Sequence, residues 1–221
     1  MSAQRAIPRA LQGLLADIYD VPVACDVGEF LLTDNSRLPP QARASGADEQ
    51  VLVAEDADTL WVSVYLKPAL LQRLASANPL ECLHGGNIAD YWTVLEGVSH
   101  FVYLAWNAVH DRAVTLLELE LQGEIDKYVS SIWLLRQQNP GHFPAELHHL
   151  LFERASLDSA LAGDRLDLYR RANFYAARFC RRLERTLRPT ESSARADAIA
   201  ELRRFYRLGR DRKVHHIESL A

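Results

Sequence analysis

Glu96 and His100 stand four residues apart. At about 100° per residue they share one face of a helix with Tyr103 and Asn107. Further on, Glu120 and Glu124 are also one turn apart. If residues 87–109 and 115–138 form an antiparallel helical hairpin, Glu96, His100 and Glu124 converge, with Glu120 near the edge of the apolar stripe. A carboxylate–imidazole–carboxylate set suits a divalent metal, or a general acid–base pair tuned by a neighbouring charge. The plainer expectation is that Glu96 and His100 lie on a solvated face and that Glu120 and Glu124 are surface carboxylates.

Glu-x-x-His occurs twice, at Glu81–His84 and Glu146–His149. In di-metal helical bundles this spacing supplies two ligands from one turn. The first copy sits between Asn78-Pro79 and Gly85-Gly86, a poor seat for a rigid ligand pair, and both copies read as surface residues. His142, His148, His149, His215 and His216 are scattered, and adjacent histidines on a helix point apart. HExxH, GxSxG, GxxxxGK[ST] and GxGxxG are absent from the sequence. Gly85-Gly86 ahead of a helix start would expose backbone N–H groups to an anion, but it reads first as a turn.

A different constellation lies on residues 164–188. Leu168, Tyr169, Ala172, Ala176, Phe179, Cys180 and Leu183 form the apolar stripe. Across from it stand Arg170, Arg171, Arg178, Arg181, Arg182, Arg185 and Arg188, with Phe174 among them. Such a face suits an acidic protein surface, or nucleic-acid phosphates with one stacked base. The alternative is a solvated helix whose arginines pair with Asp164, Asp167 and Glu184.

The elements that would position these groups follow from periodicity. Residues 8–19 read as a short helix on Leu11, Leu14, Leu15 and Ile18, with Pro8 in its first turn. Val21 to Leu32 alternates as a strand, which Pro22 assigns to an edge or a strand start. Residues 34–49 read as a solvated loop. Two alternating runs from Gln50 to Leu66, joined at Asp56-Ala57-Asp58, read as a β-hairpin. After Pro68 the pattern is helical: 69–77, 87–109 with Asn87 as N-cap, 115–138, 144–154, a helix opened by Asp158 or Asp164 and running to Leu187, one capped by Ser193, and a last short helix. Strands early and helices late give an α+β fold. The sequence is read as one domain over 1–221, with 1–67 mostly β after an N-terminal helix and 68–221 a helical bundle on which a small antiparallel sheet packs.

Composition narrows the classes. The 221 residues are 48% hydrophobic and 24% charged, which excludes disordered and collagen-like chains. A net charge of −4 excludes a uniformly basic nucleic-acid binder. The total hides a polarity: residues 1–130 carry 8 Lys+Arg against 18 Asp+Glu, and residues 131–221 carry 17 against 11. Three dispersed cysteines with no CxxC argue for a reducing compartment. No signal-like segment and no membrane span are read, so a cytoplasmic location is expected. Only three of the 25 basic residues are lysine, a bias that fits GC-rich, bacterial-like coding and not phosphate binding by itself. Together these features lead to a non-enzymatic adaptor, regulator or complex subunit with a protein partner or a second copy. The alternatives are a metal-dependent enzyme using Glu96, His100, Glu120 and Glu124, and a nucleic-acid binder using the arginine face.

Overall fold

The structure is a computed structural model and describes residues 5–56, 59–153, 163–188 and 192–219. Its elements are α1 (Ala6–Tyr19), β1 (Leu31–Leu32), α2 (Pro40–Ser45), β2 (Glu49–Asp56), β3 (Thr59–Leu66), α3 (Pro68–Ser76), α4 (Ile88–Val109), α5 (Leu116–Gln138), α6 (Leu147–Phe152), α7 (Asp164–Leu187), α8 (Ser192–Tyr206) and α9 (Arg210–Glu218). This is the expected α+β layout, with a small sheet early and helices late. The helix opener Asp158 and the turn residues Ala57 and Asp58 lie outside the described residues. The chain divides into two compact units. One comprises 1–17 and 21–112, the other 18–20 and 113–221. Thus α3 and α4 belong with the sheet.

In the first unit, β2 and β3 form the expected hairpin, in register from Glu49↔Leu66 to Asp56↔Thr59. The sheet order is β1-β3-β2, and β1 pairs parallel to β3 through Leu31↔Val64 and Leu32↔Tyr65. The sheet is therefore mixed where a wholly antiparallel one was expected. The first strand also shrinks to two residues, for a local reason. Gln12 of α1 takes backbone groups that a neighbouring strand would have used: its Oε1 accepts from Val27 N at 2.8 Å, and its Nε2 donates to Cys25 O at 2.6 Å. Asp26, paired with Arg9 at 2.6 Å, accepts from Gly28 N at 2.8 Å and folds Val27–Glu29 into a 3-10 turn. The loop over 34–49 contains the short α2, closed by Gly46 at φ 66°, the left-handed conformation glycine tolerates.

Helix α4 lies against the hairpin at Gly97. A Cβ there would meet Glu49 Oε1 at 2.8 Å and Val64 Cγ1 at 3.0 Å. Gly97 therefore sets the close approach of helix to sheet. Asn87 precedes α4 but makes no side-chain cap. Its amide instead ties the entering loop, donating to Ala77 O at 3.1 Å and Cys82 O at 2.8 Å and accepting from His84 N at 2.9 Å.

In the second unit, Thr115 and Glu118 open α5 with a reciprocal capping box. From Leu117 to Leu134 nearly every α5 residue is buried. The stripe that periodicity places on α5 (Leu117, Leu121, Ile125, Tyr128, Ile132 and Leu135) is only part of what the helix buries, and Leu135 at its end is only half-buried. Gly123 and Ser130 on the other side, and Ser131 beside the stripe, are small enough for close packing. Both hydroxyls turn back to the carbonyls four residues earlier, each at 2.6 Å. α7 packs along α5, and α6, α8 and α9 pack on α7.

Candidate functional site

The sequence-expected residues lie on α4 and in the loop before it in the first unit, and on α5, α6 and α7 in the second. On α4, Glu96 is half-buried and His100 is buried, one turn apart. Their face also holds buried Tyr103 and Asn107, and Asn107 donates its amide to Tyr103 O at 2.8 Å. The solvated face expected for this pair is thus an interior one. On α5, Glu120 is buried and Glu124 half-buried. Glu124 is ion-paired with Lys127 at 2.8 Å.

Both Glu-x-x-His copies are engaged locally. Glu81 accepts from Asn78 Nδ2 at 2.9 Å, and His84 Nδ1 accepts from Gly86 N at 3.1 Å. His149 Nδ1 bonds Glu153 at 2.7 Å, which holds the Glu153 carboxyl below its usual range. Glu146 stands at the N-cap position of α6.

The arginine face is the most extended arrangement. On α7, Ala172, Ala176, Phe179, Cys180, Leu183, Glu184 and Leu187 are buried. Arg171, Phe174, Arg178, Arg182 and Arg185 fall within an arc of about 80° directly opposite, along about 21 Å of helix. Arg171, Arg182 and Arg185 are exposed, Arg178 is half-buried, and Phe174 is 58% exposed. None of these four arginines has a carboxylate within ion-pair distance among the described residues. Arg181 differs. It lies at the edge of the arc, 3.5 Å from both Glu153 and Glu184. Buried Glu184 also takes Arg188 at 2.6 Å. Of the carboxylates expected to neutralise the face, Asp167 reaches Arg170 and Glu184 reaches Arg181 and Arg188, which leaves the stripe itself charged.

Sequence reasoning missed a buried polar chain in the second unit. Lys213 of α9, fully buried, donates to Gln122 Oε1 at 2.6 Å. Gln122 Nε2 donates to Asp126 Oδ1 at 2.8 Å, and the Tyr19 hydroxyl donates to the same oxygen. The Lys213 ammonium also stands over the Phe205 ring at 4.7 Å. Burial, then the Asp126 charge, pushes the Tyr19 phenol well up, so it stays a donor. The available signal was one of only three lysines in the chain, four residues before Ile217 and so on the apolar side of the last helix.

No protein-family model matches the chain, and no curated protein or solved structure matches it. Among the described residues no helix is long and apolar enough to cross a membrane.

Proposed function

We infer that the protein is a non-enzymatic interaction protein, an adaptor or complex subunit, that docks an acidic protein surface along α7. The observation that carries this reading is the run of Arg171, Arg178, Arg182 and Arg185 around exposed Phe174, without carboxylate partners among the described residues. Arginine and aromatic side chains are the types enriched where protein interfaces concentrate their energy. A stripe one side chain wide, with a single aromatic, matches an acidic helix or strand better than a phosphate backbone, which calls for a broad basic field. Fluorescence anisotropy with a labelled oligoglutamate peptide, beside a labelled oligothymidylate, tests this. The peptide should bind and weaken by roughly tenfold or more in R178E/R182E. Binding of the oligothymidylate alone would make the arginine face a nucleic-acid surface, and binding of neither would end the reading.

A second reading is a divalent metal with Glu96 and His100 among its ligands. The burial of that imidazole one turn from a half-buried carboxylate favours it. Stoichiometric Zn, Mn or Fe in the purified protein, lost in His100→Ala, supports it. Metal-free protein whose Tm does not move when those ions are added ends it.

A further inference from the structure

The second unit contains a pocket of about 350 Å³ apart from the α7 stripe. Its floor is apolar, formed by Ile18, Val129, Ile132, Leu187, Ile199 and Leu202. Trp133, Arg136, Gln137, Pro140, Gly141 and Arg195 make up the rest of the lining, which contains no carboxylate. Both guanidiniums are held in place by neutral partners. Arg195 lies over the Trp133 ring at 4.5 Å, and Arg136 Nη1 donates to Leu187 O at 2.6 Å. A guanidinium carries five N–H donors, so the carbonyl leaves most of those on Arg136 available. Neither arginine has a carboxylate within ion-pair distance among the described residues.

Two cations beside an apolar floor, neutralised by nothing in the described chain, call for a ligand with one anionic end and an apolar body. The volume is at the low end for ligand pockets, which limits that body to a medium-length acyl chain or a single aromatic ring. We propose that this pocket binds a small apolar monocarboxylate, its body on the Val129–Ile132–Leu202 floor and its carboxylate between Arg136 and Arg195. Arginine suits this role because its planar fork matches both carboxylate oxygens. The site shares no residue with the α7 stripe, so it stands or falls independently of the docking reading.

Titration calorimetry at constant ionic strength with octanoate, benzoate, octanol and acetate tests the proposal. Octanoate or benzoate should bind, with octanol and acetate each weaker by roughly tenfold or more. Arg195→Gln, at an exposed position, should weaken carboxylate binding by a similar factor without changing Tm. Ile199→Phe, which fills a half-buried part of the floor, should abolish binding while circular dichroism stays that of the parent. Three results would overturn the proposal: no heat from either carboxylate, equal affinity for octanoate and octanol, or full binding retained in Arg195→Gln. Acetate binding as tightly as octanoate would also overturn it, since the apolar floor would then play no part.

Discussion

In the second unit Glu184 and Cys180 are buried ionisable groups whose chemistry follows from burial and from the neighbours that face them. Glu184 is closed off by Arg188 and the Tyr128 hydroxyl, the latter at 3.4 Å, and burial raises the Tyr128 pKa. Cys180 is fully buried, and burial together with the charges of Glu124, Asp126 and Glu184 keeps its thiol protonated. Cys25 and Cys82 are exposed. Iodoacetamide at mildly alkaline pH should therefore alkylate Cys25 and Cys82 in the native protein and reach Cys180 only after denaturation. Mass spectrometry reads this directly, and an adduct on native Cys180 would contradict the packing of α7 on α5. At this scale the sequence was a fair guide to the arginine face and a poor one to the interior. Phe174 stood out because it interrupts a run of arginines. Nothing local marks Gln122 as the link between a buried lysine and a buried aspartate, because the partners are 91 residues apart.

Helix packing in the first unit depends on what is absent at Gly97. A methyl group there meets Val64 Cγ1 at 3.0 Å, and this buried valine has little room to move. Gly97→Ala should destabilise the protein by about 1–3 kcal/mol in urea denaturation, the usual cost of overpacking. An unchanged midpoint would mean that the sheet shifts freely on α4. The start of α4 is fastened to α3 by a fork: Arg73 Nε and Nη2 donate to the two Asp90 oxygens at 2.6 and 2.7 Å. This pairing holds the Asp90 carboxyl below its usual 3.8. A carboxyl lowered on folding stabilises fully above its unfolded value, and the gain is lost as pH falls through the folded value. Asp90→Asn should thus cost about 0.5–1 kcal/mol at neutral pH, Arg73 being half exposed, and progressively less as the pH is lowered below 3.8. A pH-independent difference would contradict the pairing. Element types were largely legible because period 2 and period 3.6 are local signals: the hairpin and every long helix follow them. The shortened β1 and its parallel pairing were not legible. Gln12 replaces a ladder partner from fifteen residues away, and alternation carries no information about strand direction.

Charge is distributed by unit and by depth, not only along the chain. The first unit has 7 Lys+Arg against 13 Asp+Glu, and the second 18 against 16, giving −6 and +2. The polarity is milder than a cut at residue 130 implies, because the acidic residues of α5 belong with the basic helices. Among the described residues Glu118, Glu120, Asp126 and Glu184 are buried, against Lys127 and Lys213 among the cations, so the second unit shows solvent a somewhat more basic surface than its net charge suggests. Composition alone conceals this, since burial decides which charges a partner meets. An acidic partner steered by that surface should bind less tightly as salt rises. The direct test separates the α7 stripe from charge in general: oligoglutamate affinity compared between R178E/R182E and R165E/R212E, two variants of equal net charge. Reversal on the stripe should weaken the salt-sensitive binding by roughly tenfold or more, while reversal off it should leave most of the affinity. Equal losses in the two variants would contradict a docking face on α7.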